Sequence, residues 1–360
     1  MIEIIFIVLI SIHALVHIAG YVKSIRPESL KDITMSVSAP LGIAWLTAGI
    51  LYAAAALLFA ADINLWWALS ITALILSQFL IIVFWKDAKL GTLPNIVMLA
   101  AAVTGYGLWD MNRLAFSEEA HISASSAARV EVTDKNISAL PPVVAQWLRR
   151  SEITGKSFGG SVTLKQSGEM RLAPDSPWIK VEASQRFNTA EPAFVWRADI
   201  VPFHPFFITG IDSWRGGRGR MLIKLMALFP VSDVTGREID QGSMLRYLAE
   251  IVWFPFAALH ESIAWKQTGP RSASAVITWG GQSAEGVFYF DENGDPSEFR
   301  AKRYFYMPDG SRLEEWVVNI DKDSFALQGG VRVPLRSTVT WNLDAGAFTW
   351  FRVDVSDIKW

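Results

Sequence analysis

Four apolar stretches, residues 2–22, 41–61, 63–85 and 93–109, fill most of the first 112 positions. A helix rises 1.5 Å per residue and needs about 20 residues to cross a 30 Å hydrocarbon layer. The first three stretches meet that length and the fourth falls slightly short. Only Lys23, Arg26, Lys31, Lys86 and Lys89 carry positive charge before Asn112. Residues 1–112 are therefore expected to form a four-helix transmembrane region.

The first stretch reads as a retained helix rather than a cleaved leader. Its early charge is Glu3, and its basic residues follow the apolar run. Loop charge sets the expected orientation. The first loop carries Lys23, Arg26 and Lys31 and the third carries Lys86 and Lys89, while the turn near Asp62 carries neither Lys nor Arg. The positive-inside rule then puts the first and third loops in the cytoplasm. Trp66, Trp67 and Trp109 mark the outer ends, and Tyr21 and Trp85 the inner ones. The expectation is a multi-pass protein of a bacterial cytoplasmic membrane, with the N-terminus and the C-terminal region outside.

Residues 113–135 read as a linker, with a small, aperiodic Ser–Ala stretch at 123–128. Residues 136–360 change character and hold 11 of the 16 tryptophans. A short helix is expected near 140–150, with proline in its first turn and arginines at its end. Strand alternation then dominates. Ile179, Val181 and Ala183 alternate with Lys180, Glu182 and Ser184, and Val331, Val333, Leu335, Val339 and Trp341 form a second such series. Gly280-Gly281, Asn293-Gly294, Asp309-Gly310 and Asp344–Gly346 supply hairpin turns. Met244, Leu245, Leu248, Ile251 and Val252 are spaced for a helix, so one is expected near 240–260, interrupted by Pro255. The expected fold is an antiparallel, mainly β domain of about ten or eleven strands, a curved sheet or half-barrel around an inserted helix.

The run from His13 to Lys23, the pair Ser77-Gln78 and the run from Trp85 to Thr92 resemble the membrane half of an uncharacterised bacterial membrane protein family. Leu245 to Glu250, followed by Trp253 and Pro255, resembles that family's best-marked motif. The resemblance covers nearly the whole chain. It implies a four-helix region joined to a domain of unknown function, and it implies no activity. The order of strands, helix and strands also resembles the half-barrel of periplasmic lipoprotein carriers.

Several residues invite chemical readings. His13 and His17 share one helix face at i and i+4. Ionisable groups within a span are costly there, which marks them for function. They could start a metal or haem site, or stay neutral and hydrogen-bond across the bundle to Gln78 or Asn95. Arg246 and Glu250, also i and i+4, could be an acid–base pair or a structural ion pair. The basic glycine run Arg215–Arg220 could cradle phosphate or form a hairpin turn. Glu314 and Glu315 point to opposite faces of a strand and cannot form a dyad. His204 and His260 lack a partner motif. Phe194, Trp196, Phe206, Trp214, Tyr247 and Trp253 could form a core or line an apolar ligand site, with Arg246 at its mouth.

The absence of cysteine excludes thiolate nucleophiles, disulfides and Cys-ligated metals. A net charge of −2 gives no global basic field for nucleic acid. No catalytic or dinucleotide fingerprint appears, and neither a metal nor another cofactor is expected. The leading expectation is a membrane-anchored, non-enzymatic protein whose outer domain binds an apolar or amphipathic ligand: a lipid, a fatty acid or a lipoprotein. An envelope enzyme centred on Arg246 and Glu250, and a sensor or scaffold, are the alternatives.

Overall fold

The computed structural model describes residues 2–31, 33–123, 129–203, 205–306 and 310–360. The chain divides into two units, Met1–Arg113 with Met226–Leu228, and Leu114–Leu225 with Phe229–Trp360.

The first unit is built from α1 (Ile2–Ile25), α2 (Ala39–Ala60), α3 (Trp66–Val83), a one-turn helix α4 (Trp85–Ala88) and the start of α5 (Thr92–Ser123). Leu, Ala, Ile and Val carry these helices, and Pro40 sits in the first turn of α2, where its missing N–H costs nothing. Among the described residues, four helices are long and apolar enough to cross a membrane. Their burial pattern is inverted relative to a water-soluble bundle. Leu15, Leu57, Ile75 and Ile82 face outward, while His13, His17, Ser70, Ser77 and Asn95 are buried. In water each exposed leucine or isoleucine forfeits about 1.5–3 kcal/mol of burial. In hydrocarbon that loss vanishes and the polar groups must pair inside.

α5 outruns the apolar stretch expected at 93–109, because no glycine or proline follows Gly107 to stop it. Its end belongs to the second unit, where Asn188 donates to the Ile122 carbonyl at 2.6 Å. Within the 113–135 stretch expected as a linker, α5 thus continues to Ser123. Residues 124–128, most of the Ser–Ala stretch, lie outside the described residues. β1 (Val130–Glu131), α6 (Asp134–Ser138), α7 (Pro142–Arg150) and β2 (Ser157–Phe158) follow.

The second unit is organised by one antiparallel sheet. Its strands are β3 (Ser161–Met170), β4 (Ile179–Asn188), β5 (Ala193–Phe203), β6 (Phe206–Arg215), β7 (Arg218–Leu225), β8 (Phe229–Thr235), β9 (Ile263–Gly269), β10 (Ser272–Trp279), β11 (Gln282–Phe290), β12 (Pro296–Phe305) and β13 (Arg312–Ile320). A separate pair, β14 (Phe325–Gln328) and β15 (Val331–Pro334), precedes β16 (Arg336–Leu343) and β17 (Gly346–Lys359). The sheet order is β8-β7-β6-β5-β4-β3-β17-β16-β13-β12-β11-β10-β9. These thirteen strands exceed the ten or eleven expected. The edge strands β8 and β9 are mostly solvent-facing and lack clean alternation, so the sequence pattern understates them. The last strand, β17, lies in the middle of the sheet and pairs Phe351 with Met170 of β3.

Each strand adds roughly 20–25° of twist, so a sheet this wide curls into a half-barrel. Its concave side holds α8 (Arg237–Glu250), which continues as 3-10 turns at Ile251–Trp253 and Pro255–Leu259. Asp240 fixes this helix between the two halves of the sheet. It accepts the Gly219 N–H of β7 at 2.7 Å and the Gln282 amide of β11 at 2.9 Å. The glycine turns behave as expected. Gly216, Gly217, Gly280 and Gly281 all have positive φ, as two-residue hairpin turns require. Asp309 of the expected Asp309-Gly310 turn lies outside the described residues.

Candidate functional site

α8 places its side chains in a crowded interior. Phe194, Trp214 and Tyr247 are fully buried and Trp253 nearly so, within one core. Trp214 meets Tyr247 at 5.4 Å between rings, and Phe254 packs on Phe187 at 4.4 Å. These rings fill the concave side of the sheet with one another. Trp196 is half-buried and donates its indole N–H to Gln166 at 2.8 Å. Phe206 stands apart from this group, exposed at the β5–β6 turn.

Arg246 sits beside that core with both of its carboxylate partners. Its Nε donates to Glu250 at 2.8 Å and its Nη1 to Asp212 of β6 at 2.7 Å. Its guanidinium lies 4.8 Å from the Trp196 ring centre and 5.1 Å from that of Phe194. Glu250 also accepts from the Gln185 amide at 2.7 Å, and Gln166 donates to Gln185 at 2.8 Å. Burial opposes the Arg246 charge, but Glu250 and Asp212 outweigh it and raise its pKa. Burial pushes the Glu250 carboxyl upward against the pull of Arg246 and Gln185. The sequence pairing of Arg246 with Glu250 is thus part of a larger buried network, in which the two Glu250 oxygens accept from Arg246 and Gln185. That arrangement suits anchoring.

One cation in this neighbourhood has no such partner. β12 alternation turns Phe299, Ala301 and Arg303 toward the concave side. The Arg303 guanidinium lies 4.7 Å from the Trp316 ring centre and 5.9 Å from that of Trp341. Gly242 of α8 makes room for it, since a Cβ there would come within 3.0 Å of Nε. Arg303 forms neither a hydrogen bond nor an ion pair among the described residues. It lines a small opening of about 50 Å³ with Asp212, Met221, Glu238, Tyr304 and Tyr306. Burial draws its pKa down to about 10, opposed by Asp212, and it stays charged at neutral pH. Sequence reasoning passes over Arg303. A glycine inside a helix costs about 1 kcal/mol against alanine, so Gly242 was the available signal that something presses on α8.

The remaining candidates are accounted for by local bonding. Arg215–Arg220 forms the β6–β7 hairpin turn, with Arg220 on Asp233 at 2.8 Å. Glu315 pairs with Asn342 at 2.6 Å. His260 bridges Ser262 at 2.8 Å and the Ala190 carbonyl at 3.1 Å. His204 lies outside the described residues. Among the described residues no group of three His, Cys, Asp or Glu is placed to hold a metal. A wider groove of about 260 Å³ lies beside β3, β4 and β17. Its Arg186 pairs with Glu119 at 3.4 Å and its Lys165 with Asp357 at 3.0 Å.

In the helical unit, His13 meets Asn95 directly and His17 reaches it through Ser77. His13 Nε2 lies 2.8 Å from Asn95 Oδ1, an atom that only accepts, so His13 donates. His17 Nδ1 lies 2.8 Å from the His13 carbonyl and must also donate, leaving Nε2 to accept from Ser77 at 2.9 Å. Tyr52 donates to Asn95 Oδ1 at 2.9 Å, and the Asn95 amide donates to Ser77 at 3.1 Å and Gln78 at 3.0 Å. Asn95 thereby joins α1, α2, α3 and α5, with all four of its hydrogen-bonding positions used. Replacing Asn95 with leucine is expected to destabilise the bundle by about 2 kcal/mol, as interhelical hydrogen bonds average roughly 0.6 kcal/mol each. Thermal melting of helicity in the detergent-solubilised chain measures this, and an unchanged midpoint would remove Asn95 as the hub.

A family model described as "Family of unknown function (DUF6544)" matches residues 130–353. No curated protein matches the chain.

Proposed function

The chain belongs to the family of unknown function DUF6544, and from that premise, which supplies no activity, we propose a membrane-anchored, non-catalytic protein whose half-barrel domain works against the bilayer surface. There it takes up an amphipathic ligand or a lipidated partner. The membrane is the cytoplasmic membrane of a bacterium, with the N-terminus and the half-barrel outside.

The observation that carries this reading is the polarity of one sheet edge. The β3–β4, β5–β6 and β7–β8 turns follow one another along the same edge. Leu172, Phe203, Phe206 and Phe229 are exposed there. Phe203 and Phe206 touch at 5.3 Å between rings. The opposite edge turns at residues 189–192 and at Gly216-Gly217 and exposes no large apolar side chain among those residues. Each exposed Phe or Leu forgoes about 1.5–3 kcal/mol of burial, which a lipid surface returns. The four apolar helices, with their inverted burial, support a bilayer as that surface.

The chain has no cysteine, so single-cysteine labels are clean. A polarity-sensitive fluorophore on Phe206→Cys in the full chain, reconstituted in liposomes, is expected to emit as in an apolar medium. Doxyl-labelled lipids should quench it, while the same label on Glu191→Cys should stay water-like. Water-like emission at both positions would sink the reading. In spheroplasts, an impermeant thiol reagent should reach Glu191→Cys and not Ser24→Cys; the opposite result reverses the orientation.

A further inference from the structure

We propose that the opening at Arg303 binds the carboxylate head of an amphipathic acid, a fatty-acid-like ligand whose alkyl chain leaves past Tyr306. This deepens the reading above and rests on it for the ligand's amphipathic character.

Arg303 has no hydrogen-bond acceptor among the described residues. A guanidinium carries five N–H donors in its plane. The Trp316 and Trp341 rings, 4.7 and 5.9 Å away, engage the cation as cation–π partners and accept none of those donors as conventional hydrogen bonds. The two carboxylates that share the opening are already in use: Asp212 accepts from Arg246 at 2.7 Å, and Glu238 accepts the Ser311 hydroxyl. A part-buried cation with free in-plane donors is matched by an external acceptor of fork geometry, which a carboxylate supplies bidentately.

Charge chooses among anions. The opening, about 50 Å³, has room for a small anionic head. A phosphate dianion would bring about twice the charge of a carboxylate up to Asp212 and Glu238. At the rim of the opening the Tyr306 side chain is exposed. An alkyl chain has an apolar path there, while the head stays on Arg303.

The test is calorimetric titration of the full chain in lipid nanodiscs with sodium octanoate, held below its micellar range. Octanol serves as the uncharged control and inorganic phosphate as the rival anion. The wild type should bind octanoate saturably, and Arg303→Gln should weaken it at least tenfold with an unchanged melting temperature. Gly242→Ala, which crowds the guanidinium, should weaken it as well. Octanol should partition equally into wild type and variants. No saturable octanoate binding, equal binding by Arg303→Gln, or tighter binding of phosphate would each overturn the site. If octanoate fails while Phe206→Cys is still quenched by lipid, the head site falls and the bilayer-facing edge stands. If octanoate binds Arg303 but the label stays water-like, the edge falls instead.

Discussion

Replacing Arg246 with methionine is expected to cost the half-barrel about 3–5 kcal/mol, the largest loss among the substitutions considered. Its side chain is 14% exposed and it compensates Asp212 and Glu250, at 13% and 11%. Removing the cation leaves two carboxylates together in a part-buried, aromatic setting, where neither can stay charged cheaply. A matched apolar replacement relieves half of that conflict, so Arg246→Met with Glu250→Leu should recover part of the loss. Urea unfolding followed by tryptophan fluorescence on the full chain measures both variants. If the single variant unfolds at the wild-type midpoint, the network does not anchor α8. A folded Arg246→Met variant with no loss of stability would reopen the pair as a candidate for chemistry.

The second large effect is expected at Asp295. It accepts from Arg150 at 2.9 and 2.7 Å and from Arg332 at 2.5 and 2.9 Å, so two arginine forks close on one carboxylate. This clamp ties the end of α7 and the strand β15 to the turn between β11 and β12. Asp295 is 7% exposed, while the arginines are 36% and 25% exposed and partly screened by solvent. Asp295→Asn should therefore cost about 2–3 kcal/mol, below the full range for a buried pair. Burial alone lifts the Asp295 carboxyl, but the two arginines outweigh it and hold its pKa below the usual Asp range. A depressed carboxylate stabilises the fold above its unfolded pKa, and that contribution fades as pH falls through its folded pKa. The gap in melting temperature between wild type and Asp295→Asn should be constant from pH 6 to 8 and narrow below about pH 4. A gap that persists undiminished into acid would show that shape, not charge, holds the clamp.

The contrast between Arg246 and Arg303 shows what sequence could reveal. Arg246 was legible because helical spacing set it four residues before Glu250 on one face. Its partner Asp212 was not, since β6 and α8 meet only after the sheet curls. Arg303 sits in a run that reads as a wet strand, and its parity with Phe299 and Ala301, with Gly242 inside α8, hints that it turns inward. The Arg150–Asp295–Arg332 clamp joins three distant segments, none with a motif. By the same logic the four apolar helices were legible from length alone, and Asn95 was named as a partner of the histidines because few polar groups share that apolar setting. The strands at the sheet's edges were undercounted because alternation encodes burial, and an edge strand has little to bury.

The position of β17 bears on how the chain is made. Its partner β3 lies about 180 residues earlier in the sequence, and the strand ladder passes from one half of the sheet to the other through β17 alone. Until β17 emerges and reaches its place, β3 and β16 each present a raw hydrogen-bonding edge. Such edges invite pairing with other chains, and long-range closure of this kind is slow. The half-barrel is thus closed at its centre only after β17 is made, and the β3 edge stays open through the synthesis of every strand between them.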